Sequence, residues 1–418
     1  MAPVNTSADH LSSTNTTSTP AMNTRQRKVE PHTNGNAKAN GKSNSNGHAI
    51  TNKQIQSSTP KRKQRSLLRR LKRRALKYTW SIPLALIITL LSLYAINPTE
   101  SNILHKFIFL SYAQEPDPSS TLNIERTQYG KGPWDIAFVA FYALVLTFTR
   151  EFIMQQILAP FARSRFAGIK SRGKQQRCME QMYTAIYFGV TGPAGLYVMR
   201  QTPVWYFRTR GMYELFPHKT HFAEFKFYYL FEAAYWAQQA LVMLLGLEKP
   251  RKDFRELVAH HIVTLALIGL SYRFHFTYIG IAVYITHDVS DFFLAISKTF
   301  HYINSELVVP FYALNVFTWI YLRHYLNLRI LWSLLTEFQT VGPYELNWET
   351  QQYKCWISNV ITFALLAMLQ SLNLFWLYCL MRSAWKFIAY GEKKDDRSEE
   401  SELEVLADQH GGKDTKQL

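Results

Sequence analysis

The sequence predicts an all-α polytopic membrane protein with about eight transmembrane helices. Three observations carry that expectation: apolar runs long enough to cross a bilayer, basic loops alternating with loops poor in basic charge, and polar tails bracketing an apolar middle. The 418 residues carry a formal charge of +17. Its placement matters more than its size. Ten Lys or Arg residues lie between Lys61 and Lys77 with no acidic residue among them, and Tyr78-Thr79-Trp80 leads from there into the apolar run Ile82 to Ile96. A basic cluster beside an interfacial Trp is what anionic cytosolic lipid and the positive-inside rule select, so nucleic acid is not the expected partner. Residues 1–77 are rich in Asn, Thr, Ser and Lys and nearly free of aromatics, a composition that cannot bury enough surface to offset chain entropy. They read as a disordered cytosolic tail. The opening MAPVNTSADH has no apolar stretch, so no cleaved signal peptide is expected. Cys178, Cys355 and Cys379 are few and widely spaced, which argues against a disulfide framework or a cysteine-held zinc.

A helix needs about 20 mostly apolar residues to cross the hydrocarbon. Runs of that kind fall near 79–96, 134–158, 181–199, 226–247, 257–272, 276–297, 308–334 and 354–381. Orientation follows from charge. The loop after the second run holds Arg163, Arg165, Lys170, Arg172, Lys174 and Arg177, the loop after the fourth holds Lys249, Arg251, Lys252 and Arg255, and the eighth ends at Arg382, Lys386, Lys393 and Lys394. Together with the amino-terminal cluster these are assigned to the cytosol, which puts both termini there. Residues 97–130 and 335–352 are poor in basic charge and fit the opposite side. Residues 200–222, with Arg200, Arg208, Arg210 and Lys219, are the exception. The sequons at Asn5 and Asn15 lie in the cytosolic tail and are expected to stay unglycosylated.

Ionisable residues inside spans are costly unless paired or facing a cavity, and they mark function by default. The fifth run carries His260 and His261, and the sixth carries His287, Asp288 and Asp291. Helical spacing sets His287 and Asp291 on one face, with Asp288 three residues from Asp291, and gives His260 and Thr264 a common face that continues toward Ser271. At 1.5 Å per residue the histidine pair lies roughly 5 Å into the fifth span and Asp291 and His287 about 9 to 15 Å from the cytosolic end of the sixth. Histidine is the side chain whose charge changes near pH 7, and a neighbouring group can fix its tautomer, so the set suits a nucleophile and base acting on a thioester. Two other readings of the same residues stand beside it. Imidazole and carboxylate can also ligate a metal, although no strong metal signature is present. A buried hydrogen-bond network could equally hold the helices together.

The stretch AHHIVTLALIGLSYRFHFTYIGIAVYITHDVSDFFLAISKTFHYI resembles the Lag motif of ceramide synthases in the longevity-assurance family, within the TLC membrane domain. The resemblance rests on His260 and His261, Ser271-Tyr272, Ile279-Gly280, His287-Asp288, Ser290-Asp291 and Lys298, and it extends over roughly 165–385. It looks like the fungal branch. It implies a sphingosine N-acyltransferase of the endoplasmic reticulum that joins a long or very-long-chain fatty acyl-CoA to sphinganine or phytosphingosine, with the last six helices forming a barrel around an acyl-chain tunnel. It further implies His260, His261, Asp288 and Asp291 as catalytic, with His260 the nucleophile, His261 a base toward the amine, and Asp288 and Asp291 orienting imidazoles. His287, Thr264 and Lys298 support the site. No cofactor is implied, because acyl-CoA is a substrate, and no metal. A paralogous synthase subunit and a small single-span regulatory subunit are the implied protein partners. The domain order is then a 1–77 tail, a first helix and lumenal loop in 78–133, a second helix in 134–164, the TLC catalytic domain in 165–385 and an acidic cytosolic tail in 386–418.

Arg251, Lys252, Arg255 and Lys298 border the expected entrance and suit CoA phosphates, though positive-inside bias accounts for them as well. Arg323, with Asn315 and His324 nearby in the seventh span, is placed either to line the tunnel or to pair with a carboxylate. In RSEESELEV, Ser398 and Ser401 sit in an acidic run that suits phosphorylation. A non-enzymatic lipid-sensing or translocon-associated member of the same domain family is the competing function, and it should lack the full histidine and aspartate set.

Overall fold

The computed structural model describes residues 77–115, 126–247 and 252–390. Each of the eight apolar runs is helical: α1 Ser81–Ile96, α2 Trp134–Phe152, α3 Arg172–Arg200, α4 Ala223–Leu244, α5 Phe254–Arg273, α6 Thr277–Tyr302, α7 beginning at Val308–Thr318, and α8 Trp356–Tyr390. Two are not regular throughout. α2 runs on through a π-helical stretch Ile153–Leu158 into Ala159–Arg163, and α7 passes through π-helical Trp319–Leu326 into Asn327–Thr336. Among the described residues, four helices combine the length and apolarity needed to cross a membrane: Trp134–Arg163, Phe254–Arg273, Thr277–Tyr302 and Trp356–Tyr390. α1 is apolar but only 16 residues long. α3 opens with the polar stretch RGKQQR and α7 is interrupted by Arg323, which is why these read less clearly as spans than the apolar α8.

Packing joins helices far apart in sequence. α3 lies along α6, α2 along α4, and α5 along α8, while α7 touches both α6 and α8. Gly195 and Gly280 permit the closest approaches. A Cβ at Gly195 would collide with the Tyr228 hydroxyl, and one at Gly280 with the hydroxyl and ring of Tyr229, so both tyrosines reach the α6 surface because these positions carry no side chain. The π-helical stretch of α7 has a different effect. Leu322, Arg323 and His324 are all buried although they are consecutive, a spread that a wider turn accommodates more readily than a regular one.

One end of the bundle is closed by a polar cap made from the loops. Three short strands, β1 Ala113–Gln114, β2 Gln128–Tyr129 and β3 His221–Phe222, pair antiparallel in that order and tie the loop after α1 to the loop before α4. Beneath them, Lys226 is fully buried against Asp135 at 2.7 Å. Its ammonium also donates to the carbonyls of Gly130 at 2.7 Å and Ser111 at 2.9 Å. Asp135 accepts in turn from the Gly132 amide and the Tyr272 hydroxyl, so neither charge is left without compensation. In the same cap, Arg208 and Arg210 both pair with Glu214 at 3.0 and 3.1 Å. These are two of the basic residues that depart from the alternation of loop charge, and part of that charge is neutralised within the loop itself.

Three histidines complete the cap. His218 is bonded to the Glu214 and His275 carbonyls, His221 to the Thr277 hydroxyl, and His275 to Gln351. Burial lowers all three below their ordinary value, His218 to about 4 and His275 to about 3, so each is neutral in the fold near pH 7. Their folded-state values lie below that of an unfolded chain. The unfolded state therefore gains protons first as the pH falls, and stability intact above about pH 6.5 is lost on the way to about pH 4. At pH 5 the loss from His218 alone should be about 2 kcal/mol. Thermal unfolding in detergent between pH 7.5 and 4.5 should show a steep decline in melting temperature, and His218→Gln should flatten it.

Candidate active site

α5 and α6 are antiparallel neighbours joined by the short turn at Phe274 to Phe276, and this brings the two polar motifs face to face. His260 and His261 are both buried on α5. The His260 ring packs edge-on between two tryptophans, Trp376 of α8 at 5.2 Å and Trp236 of α4 at 5.6 Å. Its Nε2 lies 3.4 Å from the Thr264 hydroxyl, while its Nδ1 has no hydrogen-bond partner. His261 donates from Nδ1 to the Leu257 carbonyl at 2.9 Å, which leaves the lone pair on Nε2. On α6, His287 donates from Nδ1 to the Val283 carbonyl at 2.8 Å and accepts at Nε2 from the Asn373 amide at 3.2 Å.

The aspartates are held by other partners. Asp288 is fully buried and accepts from the Tyr228 hydroxyl at 3.1 Å. Asp291 pairs with Arg323 at 2.6 Å. The expectation that Asp288 and Asp291 orient imidazoles is therefore corrected for His260 and His287, whose ring nitrogens meet a threonine, a backbone carbonyl and an amide instead. The physical reason is competition: a tyrosine hydroxyl and a buried guanidinium reach the carboxylates and are stronger donors than a neutral imidazole.

Arg323 is the hub of the site. Besides Asp291, its Nε donates to the Ser290 hydroxyl at 2.6 Å and its terminal nitrogens to Asn373 Oδ1 and the His287 carbonyl, both at 3.3 Å. Its plane stacks over the Trp319 ring at 4.0 Å. Of the two roles open to Arg323 in the sequence, the structure places it with a carboxylate. Asn373 then links Arg323 to His287, so α6, α7 and α8 share one network. Beyond it, His324 meets Gln370, which accepts from Asn327, and Asn315 is fully buried with no hydrogen-bond partner for its amide.

A cavity of about 220 Å³ opens from this network. His260, Thr264 and His287 lie at one end, Ser271 further along α5, and Trp348 and Tyr353 of the loop before α8 at the other. The intervening wall is apolar, with Leu267, Val283 and Leu366 typical of it. The common face expected for His260, Thr264 and Ser271 thus lines one cavity. From His260 to Phe274 it extends about 21 Å along α5 at 1.5 Å per residue. The remaining expected residues are dispersed. Lys298 is buried near the far end of α6, Lys252 and Arg255 are exposed at the start of α5, and Arg251, Ser398 and Ser401 lie outside the described residues.

Two kinds of residue escaped the sequence reading. Trp236, Trp376 and Asn373 shape the site but carry no charge, and nothing in their spacing separates them from ordinary span residues. Glu232 is different. It is a fully buried carboxylate in the middle of α4, and the rule that singled out the histidines and aspartates applies to it equally.

Comparison with known proteins places this geometry. The family model for the TLC domain matches residues 177–382. A sphingosine N-acyltransferase-like protein of Gibberella moniliformis is 54% identical over 337 residues, covering 80% of this chain and 85% of that one. A sphingosine N-acyltransferase of Schizosaccharomyces pombe is 48% identical over 81% of this chain and 86% of its own length, and a ceramide synthase of Saccharomyces cerevisiae 49% identical over 77% and 76%.

Replacing Arg323 should test the hub. Arg323→Met removes the guanidinium from the partly buried Asp291 carboxylate and from Ser290 and Asn373, and losing one partner of such a pair costs up to about 3–5 kcal/mol. Arg323→Lys keeps the charge but cannot serve Ser290, Asn373 and Asp291 at once. Melting in detergent should fall in the order wild type, Arg323→Lys, Arg323→Met; equal melting of all three would show that the network holds nothing together.

Proposed function

This chain belongs to the sphingosine N-acyltransferase family of TLC-domain membrane proteins, and from that membership we propose that it is a ceramide synthase acylating the amine of a sphingoid base with a fatty acyl-CoA. The observation that carries the reading is one apolar cavity with two histidines at a single end. The acyl chain occupies the cavity and its thioester carbonyl stands beside His260. Sphinganine or phytosphingosine is the base, and the acyl group is long or very long.

The proposed chemistry uses the residues already described. A lone pair of the His260 ring attacks the thioester carbon, the C–S bond breaks, and the ring's own N–H proton leaves with CoA as the thiol. The resulting acyl-imidazole is attacked by the neutral amine, the C–N bond to the ring breaks, and the amide forms. His261, whose tautomer is fixed by the Leu257 carbonyl, takes at Nε2 the proton that the nitrogen loses and passes it to the departing His260 ring, so both imidazoles end neutral. The packing of Trp236 and Trp376 on His260 excludes water, which would otherwise hydrolyse the acyl group. Asp291 acts through the frame: it fixes Arg323, and Arg323 with Asn373 fixes His287.

The proposal extends to the setting. All eight helices cross the membrane, and α3 to α8 form the TLC barrel; the neighbour pairs α3–α4, α4–α5, α5–α8, α8–α7, α7–α6 and α6–α3 support a closed ring. The protein resides in the endoplasmic reticulum with both termini cytosolic, so acyl-CoA arrives on the side where Lys252 and Arg255 are exposed. The loop ahead of α8, which closes the far end of the cavity through Trp348 and Tyr353, is placed to limit acyl length. A paralogous synthase and a small single-span subunit are the expected companions, and Ser398 and Ser401 the expected phosphorylation sites.

Membranes from cells stripped of endogenous activity, supplied with labelled acyl-CoA and a sphingoid base, should form labelled ceramide with the wild type. His260→Ala at matched expression should reduce the rate by about 10³-fold or more, and Asp291→Asn should reduce it strongly through Arg323. Label in ceramide at undiminished rate with His260→Ala would remove that residue from the chemistry. No ceramide from the wild type with its partners present would favour a lipid-sensing role.

A further inference from the structure

The site contains acceptors with nothing to accept. Glu232 of α4 and Asp288 of α6 are both fully buried. A tyrosine engages one oxygen of each: Tyr187 donates to Glu232 Oε1 at 3.1 Å, and Tyr228 to Asp288 Oδ2 at 3.1 Å. The second oxygens, Glu232 Oε2 and Asp288 Oδ1, have no hydrogen-bond partner. Thr191 is close enough to act on Glu232, yet its hydroxyl makes no hydrogen bond of acceptable geometry. Tyr228, which bonds Asp288, stands one turn before Glu232 on the same face of α4, so the two carboxyl groups meet between α4 and α6. Arg323 also acts on Asp288, but its donors serve Asp291, Ser290, Asn373 and the His287 carbonyl.

A third orphan atom belongs to the cavity wall. Tyr284 lines the cavity, its buried hydroxyl is without a partner among the described residues, and its ring packs edge-on against Tyr228 at 6.5 Å. Position along α4 ties the group to the histidines. Glu232 lies one turn from Trp236, whose ring packs on His260, and on the same face as Tyr229 and Trp236, both of which line the cavity.

Building on the proposed ceramide synthase activity, we propose that Glu232, Asp288 and Tyr284 form the seat of the sphingoid-base ammonium, beside the apolar cavity that takes long chains. A primary ammonium brings three N–H donors to acceptors that the fold leaves unmatched, and its positive charge favours the ionised form of the carboxylates around it. The chemistry also needs a base for the first proton of that nitrogen, and a carboxylate supplies one. An ammonium has no lone pair, so one proton must pass to a carboxylate, R–NH3+ and –COO− becoming R–NH2 and –COOH, before the nitrogen can attack the acyl carbon.

The test separates recognition of the base from everything else. Initial rates in membranes bearing the wild type, Glu232→Gln and Glu232→Asp should be measured with the base varied at saturating acyl-CoA, and with acyl-CoA varied at saturating base. Glu232→Gln should raise KM for the base at least about tenfold with KM for acyl-CoA unchanged, and Glu232→Asp should fall between. A base KM within about twofold of the wild type, or an equal rise in both KM values, would overturn the assignment. A second arm needs no variant. Octadecylamine should inhibit the wild type at least about tenfold more strongly than octadecanol, which has the same chain and no charge. Equal inhibition would mean that the orphan atoms hold only water and would overturn the proposal even if Glu232→Gln does not fold. Failure of the synthase reading looks different: no amide from any base with the wild type, whatever Glu232 does.

Discussion

Arg323 is the constraint on which the site depends. A guanidinium inside a bundle of apolar helices is tolerable only when its charge is matched and its donors are satisfied, and here Asp291, Ser290, Asn373 and the His287 carbonyl do both. The requirement propagates outward. Asn373 must face both Arg323 and His287, which sets the rotation of α8 against α6, and α8 in turn carries Trp376 onto His260. One buried charge thus fixes the relative positions of three helices, and the histidine on a fourth inherits its setting from them.

The same accounting explains the cap. Lys226 and Asp135 form a second buried ion pair at one end of the bundle, again with every ammonium donor used. Between cap and hub the cavity is lined by residues with few demands, mostly aliphatic and aromatic. Polar order at both ends and an indifferent middle suit a chamber for a flexible chain. The ends specify geometry, and the middle only excludes water.

Much of this was legible in the sequence, and the reason is energetic. Charge inside a membrane is rare enough to stand out, so His260, His261, His287, Asp288 and Asp291 were found without a structure, and the apolar runs located all eight helices. The partners of those charges were harder to see. Asn373 and Trp376 are unremarkable in a span, and only the fold brings residues more than 80 positions apart into contact with His287 and His260. Asp135 and Lys226 lie close to where their helices begin, where the sequence suggests solvent and the structure provides a roof of strands. Glu232 was visible by the same rule as the others, in a run whose aromatic neighbours drew attention to its apolar character.

The widened turn of α7 gives these residues an unusual sensitivity. Leu322, Arg323 and His324 all face inward because that stretch is π-helical. Loss of a single residue there would let the stretch tighten to a regular helix with its flanks little turned, but consecutive residues would then step about 100° apart and no longer share one inward face. The rod would be as apolar and nearly as long, and any hydropathy profile would still mark it as a span. Yet Arg323 could not keep both its carboxylate and its place over Trp319. Relatives compared across this stretch should therefore hold its length as firmly as they hold Arg323, and the spacing itself is as much a part of the site as any residue within it.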